Sequence, residues 1–176
     1  MPVFDFLFWN QASGGYLTKD GPIIPVEVSV PAPLEQFLIQ RNVAVPPPVS
    51  GYALIDTGAG ITGIHQPVLD QLSLIPIDTI QLQTPSSIDT AFVYPTRVAF
   101  PSLQLSNVSL SRVVGNQLGW QTSQGNEVIM LLGRDLLQNC LLIYNAKSDS
   151  VTLSLIFSTC VTTHTLPTLT ASPASL

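Results

Sequence analysis

Residues 53–59 run Ala53-Leu54-Ile55-Asp56-Thr57-Gly58-Ala59. Three apolar residues lead straight into an Asp-Thr-Gly turn, with a small residue behind it. Such a run predicts a buried strand that stops abruptly and presents one carboxylate at its end. A charge on an apolar strand is costly to bury unless it is paired, hydrogen-bonded or functional. Taken alone, Asp56 would serve as a strand-end residue capping nearby amides. What lies around it argues for more.

A second block, Ile129-Met130-Leu131-Leu132-Gly133-Arg134-Asp135-Leu136-Leu137, is again an apolar run broken by glycine and a charged pair. Together the two blocks resemble the retropepsin-like aspartic proteases, the single-domain relatives of pepsin. The first is similar to that family's active-site loop. The second is similar to its closing apolar-apolar-Gly segment and the Gly-Arg-Asp/Asn helix after it. An isolated Asp-Thr-Gly recurs by chance; flanked by Ala-Leu-Ile and followed in order by the second block, it is a specific signal. The likeness spans roughly residues 22 to 156 and is one of pattern outside the two blocks.

The resemblance implies a mostly β fold, a closed β-barrel or sandwich subunit of the acid-protease type with one or two short helices. A helical insertion precedes the strand that carries Asp56. It also implies an aspartic endopeptidase. In such enzymes a water is held between two carboxylates; the ionised one takes its proton and the protonated one donates to the peptide carbonyl. Two carboxylates a few ångströms apart share a proton and titrate as a pair. Asp56 is then the catalytic residue, with Thr57, Gly58 and Ala59 supporting it. A short hydroxyl at Thr57 can hydrogen-bond across the base of the site, and Gly58 lets the backbone pass close to the carboxylate. Gly133, Arg134 and Asp135 correspond to a structural anchor beneath the site.

The chain offers one Asp-Thr-Gly, whereas the chemistry needs two aspartates. Asp20, Asp70, Asp78, Asp89 and Asp149 sit in turn-like or polar contexts that do not repeat it. A symmetric homodimer, with Asp56 of each subunit on the two-fold axis, supplies the second carboxylate. The segments Val3 to Trp9 and Val151 to Phe157 are candidates for strands that form it. No metal or organic cofactor is required, and the expected partners are a second copy and a peptide or protein substrate.

Two features depart from the family pattern. The viral enzymes carry an acidic residue soon after Gly-Ala, within reach of the helix arginine; here Gly60, Ile61 and Thr62 stand in its place. Arg134 must find another acceptor, with Asp5, Asp135 and a carboxylate of the partner subunit as the options. A water-excluding lid is expected from the hairpin Ile80 to Phe92, with Pro85, Ser86, Ser87 and Ile88 at its tip. Viral flaps are glycine-rich, and this tip has no glycine.

Composition bounds the remaining possibilities. The 176 residues suit one domain, expected over 1–158 with residues 31–50 as the insertion and 159–176 as a disordered Thr/Ser/Pro tail. Net charge is −5 and only six Lys and Arg are present, scattered singly, which argues against nucleic acid. Charged residues are 10% of the chain and apolar ones 45%, so apolar surface is expected to remain for a partner. Cys140 and Cys160 cannot build a disulfide scaffold, and with only His65 and His164 no zinc pattern arises. Cys140 is expected in an apolar helix and inert, and His65 at the start of a helix. No run is long enough to cross a membrane and the N-terminus lacks a signal-peptide pattern, so a cytoplasmic location is expected.

Periodicity supplies the elements. Ile24, Val26, Val28 and Val30 alternate as a strand with one buried face, Pro25 placing it at an edge or near its start. Leu34, Phe37, Leu38 and Arg41 fall at helical spacing within 31–42, followed by an extended Pro-rich run to Ser50. A short helix is expected over 66–74, strands through 77–114 and 127–132, an exposed loop over 115–126, and a helix over 133–140. Strands over 141–144 and 151–157 close the chain. The insertion is either a surface decoration or a lid or dimer contact. Two rival functions remain: a catalytically silent dimerisation or peptide-binding module of the same fold, and one lobe of a larger bilobal protease. An intact Asp-Thr-Gly weighs against the first, and the ordered last strand followed by a low-complexity tail against the second.

Overall fold

The computed structural model describes residues 3–12, 17–83, 88–103 and 105–159, with side chains over 17–83, 89–103 and 108–154. In chain order the elements begin β1 (Val3–Ala12), α1 (Leu17–Asp20), β2 (Ile23–Ser29), α2 (Ala32–Gln40), β3 (Val49–Ile55) and β4 (Gly63–His65). Then follow α3 (Gln66–Gln71), β5 (Asp78–Gln83), β6 (Ile88–Phe100) and β7 (Leu105–Asn116). The last described elements are β8 (Trp120–Gln121), β9 (Glu127–Leu132), α4 (Arg134–Leu137), β10 (Cys140–Asn145) and β11 (Ser150–Thr159).

Six strands close on themselves in the order β2-β3-β9-β4-β7-β6, with β6 returning to β2. The protein is mostly β and built on a closed six-stranded barrel. Period-two burial drives it: Ile24, Val26 and Val28 of β2 are essentially fully buried, as are Val98 of β6 and Val114 of β7. Pro25 pairs only toward β3, because the β2–β6 pairing begins at Glu27. A missing N–H is tolerated there for that reason. Hairpin β5–β6 projects beyond the barrel, since among the described residues β5 pairs with β6 alone. The terminal strands form a second sheet, β1-β11-β10. Val151 and Leu153 of β11 join the same hydrophobic cluster as the barrel strands, so one core serves both sheets.

The order of β3, β9 and β4 positions the loop bearing Asp56. β3 and β4 are consecutive strands in the chain, yet β9 lies between them, parallel to β3 and antiparallel to β4. Residues 56–62 therefore pass over the C-terminal end of β9.

Several expectations change in detail. The four-residue helix α1 was not foreseen and adds to the two short helices outside the insertion. β1 runs on past Trp9 to Ala12, and 88–100 and 105–116 are each one long strand. The segment 115–126 is not simply an exposed loop. Its Trp120–Gln121 pairs with β9, and Asp20, buried at the end of α1, accepts bonds from the N–H and hydroxyl of Ser123. Helix α2 buries no residue fully and is pinned to the barrel wall by Glu35, whose carboxylate meets Arg97 of β6 at 2.6 Å. The two terminal strands expected to form a dimer pair with each other inside one chain, Val3 opposite Thr159 through Ala12 opposite Ser150. The expected tail, 159–176, lies outside the described residues beyond Thr159. Among the described residues no helix is long and apolar enough to cross a membrane.

Candidate active site

Asp56 is the first residue after β3. Its N–H donates to the carbonyl of Leu132 at 3.0 Å, which fastens the strand end to the end of β9. The chain then folds back on the carboxylate. Oδ1 accepts the N–H of Gly58 at 2.8 Å and the N–H of Ala59 at 3.2 Å. A Cβ on Gly58 would lie 3.0 Å from that same oxygen, so glycine lets the turn close around it. Oδ2 accepts no hydrogen bond among the described residues. Asp56 is half-buried: one oxygen is held by the loop and the other is available. Thr57 and Gly58 are exposed, and the Thr57 hydroxyl has no partner among the described residues.

Below the loop, β9 ends at Gly133 in extended backbone, φ −85° and ψ 176°. A Cβ there would fall 2.6 Å from the carbonyl carbon of Ile61 and 2.8 Å from the N of Thr62. Backbone touches backbone, and only glycine fits. The Arg134 N–H donates to the carbonyl of Ala59 at 2.9 Å.

The side-chain anchor is Asp135. Its two oxygens accept the Thr62 N–H at 3.0 Å and the Thr62 hydroxyl at 2.7 Å. The same hydroxyl accepts the N–H of Gly133 at 3.2 Å, and Thr62 is fully buried. The anchoring role expected for Arg134 is thus carried by its main chain and by its neighbour. The Arg134 side chain is exposed, and none of the described carboxylates pairs with it. Asp135, one of its three candidate acceptors, is engaged with Thr62; the Asp5 side chain lies outside the described residues. Thr62 stands among the residues that replace the viral acidic position, and its role was not legible in the sequence. Its partner is 73 residues away, and a threonine after isoleucine suggests only a strand.

Asp135→Ala would leave a buried hydroxyl and a buried N–H without an acceptor. It is expected to lower stability by about 2–3 kcal/mol, measured as the shift in urea midpoint at unchanged slope. Asp135→Asn, which keeps one acceptor oxygen, should lose less.

The segment expected to act as a lid forms a hairpin, with Asp78 opposite Val93 through Gln83 opposite Ile88. One face carries Ile80, Leu82 and Ala91, half-buried or buried; the other carries exposed Phe92. Its tip, with Pro85, Ser86 and Ser87, lies outside the described residues, as does the Ile88 side chain. Tyr94 is in the core, where its hydroxyl accepts from Gln66. Open grooves of about 430 and 390 Å³ border the barrel, one beside Tyr52 and Glu127 and one beside Gln66 and Phe92. Asp56 lines neither of them.

Two other residues resolve into structural roles. His65 immediately precedes α3, and its Nδ1 accepts the Leu118 N–H at 3.1 Å. Cys140 opens β10 instead of ending a helix, and burial pushes its thiol up to about 11. Because the thiolate is the reactive form, alkylation of Cys140 at pH 8 should run about a hundredfold slower than for a cysteine at the usual value, followed by peptide mass analysis. Among the described residues no three His, Cys, Asp or Glu side chains converge as a metal site would need. Comparison with protein-family models and with curated proteins returned no match.

Proposed function

We propose that the chain is a retropepsin-like aspartic endopeptidase that works as a homodimer. The observation that carries this reading is the state of Asp56. It sits on a turn laid over the end of β9, with one oxygen held by two backbone N–H groups and the other without a partner among the described residues. The oxygen that caps the turn fixes the side chain's direction, and the second oxygen keeps its acceptor sites for a ligand. The anchoring below the loop supports the same reading, because Gly133 and the Thr62–Asp135 contacts hold the turn from beneath.

In the proposed reaction, Asp56 of each of two subunits holds a water between them. The ionised carboxylate takes a proton from that water as its oxygen attacks the peptide carbonyl carbon. The protonated carboxylate gives its proton to the carbonyl oxygen. Collapse of the tetrahedral intermediate breaks the C–N bond as the carboxylate that took the water's proton passes it to the leaving amine, and the other carboxylate takes back a proton from the intermediate's hydroxyl. The hairpin β5–β6 would close over an extended peptide and exclude water.

The test is cleavage of a denatured protein or a peptide library between about pH 3 and 7 by wild type and Asp56→Asn, the range in which coupled carboxylates titrate. Equal cleavage by both removes the assignment. Cleavage by a species that sediments as a monomer removes the homodimer.

A further inference from the structure

We infer that the Arg134 side chain reads an acidic residue of the peptide substrate, an Asp or Glu roughly two to four positions from the scissile bond. The inference rests on the protease reading above and names the substrate class of the same site. The chain has four arginines, and three of them are engaged. Arg97 meets Glu35 at 2.6 Å, Arg112 meets Asp78 at 2.9 Å, and Arg41 lies over the Phe37 ring, 5.4 Å from its centroid. Arg134 is exposed and has no such partner among the described residues.

Its backbone is nevertheless fixed beside the candidate catalytic carboxylate. One residue joins the two: the Ala59 N–H is on Asp56 Oδ1 at 3.2 Å, and the Ala59 carbonyl takes the Arg134 N–H at 2.9 Å. The guanidinium lies against the next residue of the loop. Its Nη2 is 3.6 Å from where a Cβ on Gly60 would stand, and Gly60 is exposed. Asp56 and Gly60 are four residues apart, which limits their Cα atoms to about 15 Å, and the turn brings them closer. An extended peptide advances about 3.3 Å per residue, so a side chain two to four positions from the bond being cut is about 7–13 Å from it. Such a side chain is within reach of the Arg134 head.

The local charges leave that head to a ligand. The run from Thr57 to Thr62 contains no acidic residue. Asp135 gives both oxygens to Thr62, and Oδ1 also takes the Leu136 N–H at 3.0 Å. A guanidinium is a planar fork of donors that matches a carboxylate bidentately and keeps its charge at every working pH. The occupant it fits is therefore a carboxylate carried by the peptide. The chain as a whole bears a charge of −5, so general attraction cannot produce a preference for acidic peptides; a local cation must. A lid closing over the peptide would shield the pair from water and strengthen it.

The experiment begins with the unaltered full chain and a peptide library, in which Asp and Glu should be enriched at one position near the cut bonds. Two C-terminally amidated peptides, identical except for Glu or Gln at that position, then give kcat/KM at about pH 6, where the Glu is ionised. Wild type should prefer the Glu peptide about tenfold, the scale of a hydrogen bond to a charged group. The preference should shrink as salt rises from about 0.05 to 0.5 M. Arg134→Gln should bring the ratio to about one, and Arg134→Glu should favour a third peptide with Lys at that position. Lys147→Gln, which removes an exposed cation from the turn before β11, should keep the wild-type ratio. A wild type that cleaves without enriching Asp or Glu, or a Glu-to-Gln ratio that Arg134→Gln leaves unchanged, overturns the assignment and leaves the protease intact. An unchanged ratio with a raised dimer dissociation constant in Arg134→Gln gives the side chain to a carboxylate of the partner subunit. A wild type that cuts no peptide overturns the protease reading, and the assignment with it.

Discussion

Asp56→Asn is expected to lower peptide cleavage by about 10³-fold or more, the scale on which a positioned acid or base acts. The substitution is clean because of what holds the side chain. Asparagine has the same shape, and its carbonyl oxygen can keep accepting the Gly58 and Ala59 N–H groups that Oδ1 accepts now. The turn should survive, with a stability change below about 1 kcal/mol. The ability to exchange a proton with water is lost. In a homodimer the same substitution has a second consequence. An inactive Asp56→Asn subunit that exchanges freely with wild type captures wild-type subunits into dimers with one carboxylate. At roughly ninefold excess of the variant, activity per wild-type chain should fall to about one tenth, by random pairing of subunits. An enzyme complete in one chain would be unaffected by the mixture. Cleavage rates measured across a series of mixing ratios separate the two.

The parts of the fold that were legible share one property: a single local pattern determined them. Alternation marks β2 because every second residue from Ile24 to Val28 faces the same core. The helical spacing of Leu34, Phe37 and Leu38 marks α2, although the helix lies on the barrel surface and leaves Phe37 exposed. The position of Asp56 at the end of a strand followed the same way from the apolar run Ala53-Leu54-Ile55 before it. What could not be read depends on contacts far apart in the chain. Nothing near Thr62 announces that its hydroxyl would meet Asp135, and the arginine beside that aspartate drew attention as the stronger charge. Helix α1 has four residues, too few for a period; it is held by the Leu17 N–H on Asp149 and by Asp20 on Ser123. The terminal segments were correctly seen as strands with apolar residues. That they would satisfy each other was a matter of topology.

The largest expected loss of stability is that of Gly133→Ala. The backbone conformation at Gly133 is ordinary extended geometry, so alanine meets no dihedral penalty. The obstacle is the main chain of the loop above, with Ile61 C at 2.6 Å, Ile61 O at 2.8 Å and Thr62 N at 2.8 Å from the added carbon. A flexible side chain could turn aside, but these atoms belong to a backbone that is tied down on both sides. The Thr62 carbonyl accepts the Val114 N–H and the Thr62 N–H is on Asp135. Relief therefore requires β9 and the loop to separate, which stretches the Gly133 to Thr62 and Arg134 to Ala59 hydrogen bonds together. A loss on the order of 3–5 kcal/mol is expected, at the upper end of overpacking effects, seen as a lower urea midpoint. Whatever folds should also cleave poorly. The loop that would be lifted is the one that aims Asp56, and a displacement of about 1 Å at a reacting group can lower a rate a hundredfold. Gly60→Ala is the matched control. It lies in the same loop, but the nearest atom to its added carbon is the terminal nitrogen of the exposed Arg134 side chain, at 3.6 Å. Stability and cleavage should both stay close to wild type in that variant. Equal damage from the two substitutions would place the sensitivity in the loop as a whole instead of in its crossing over β9.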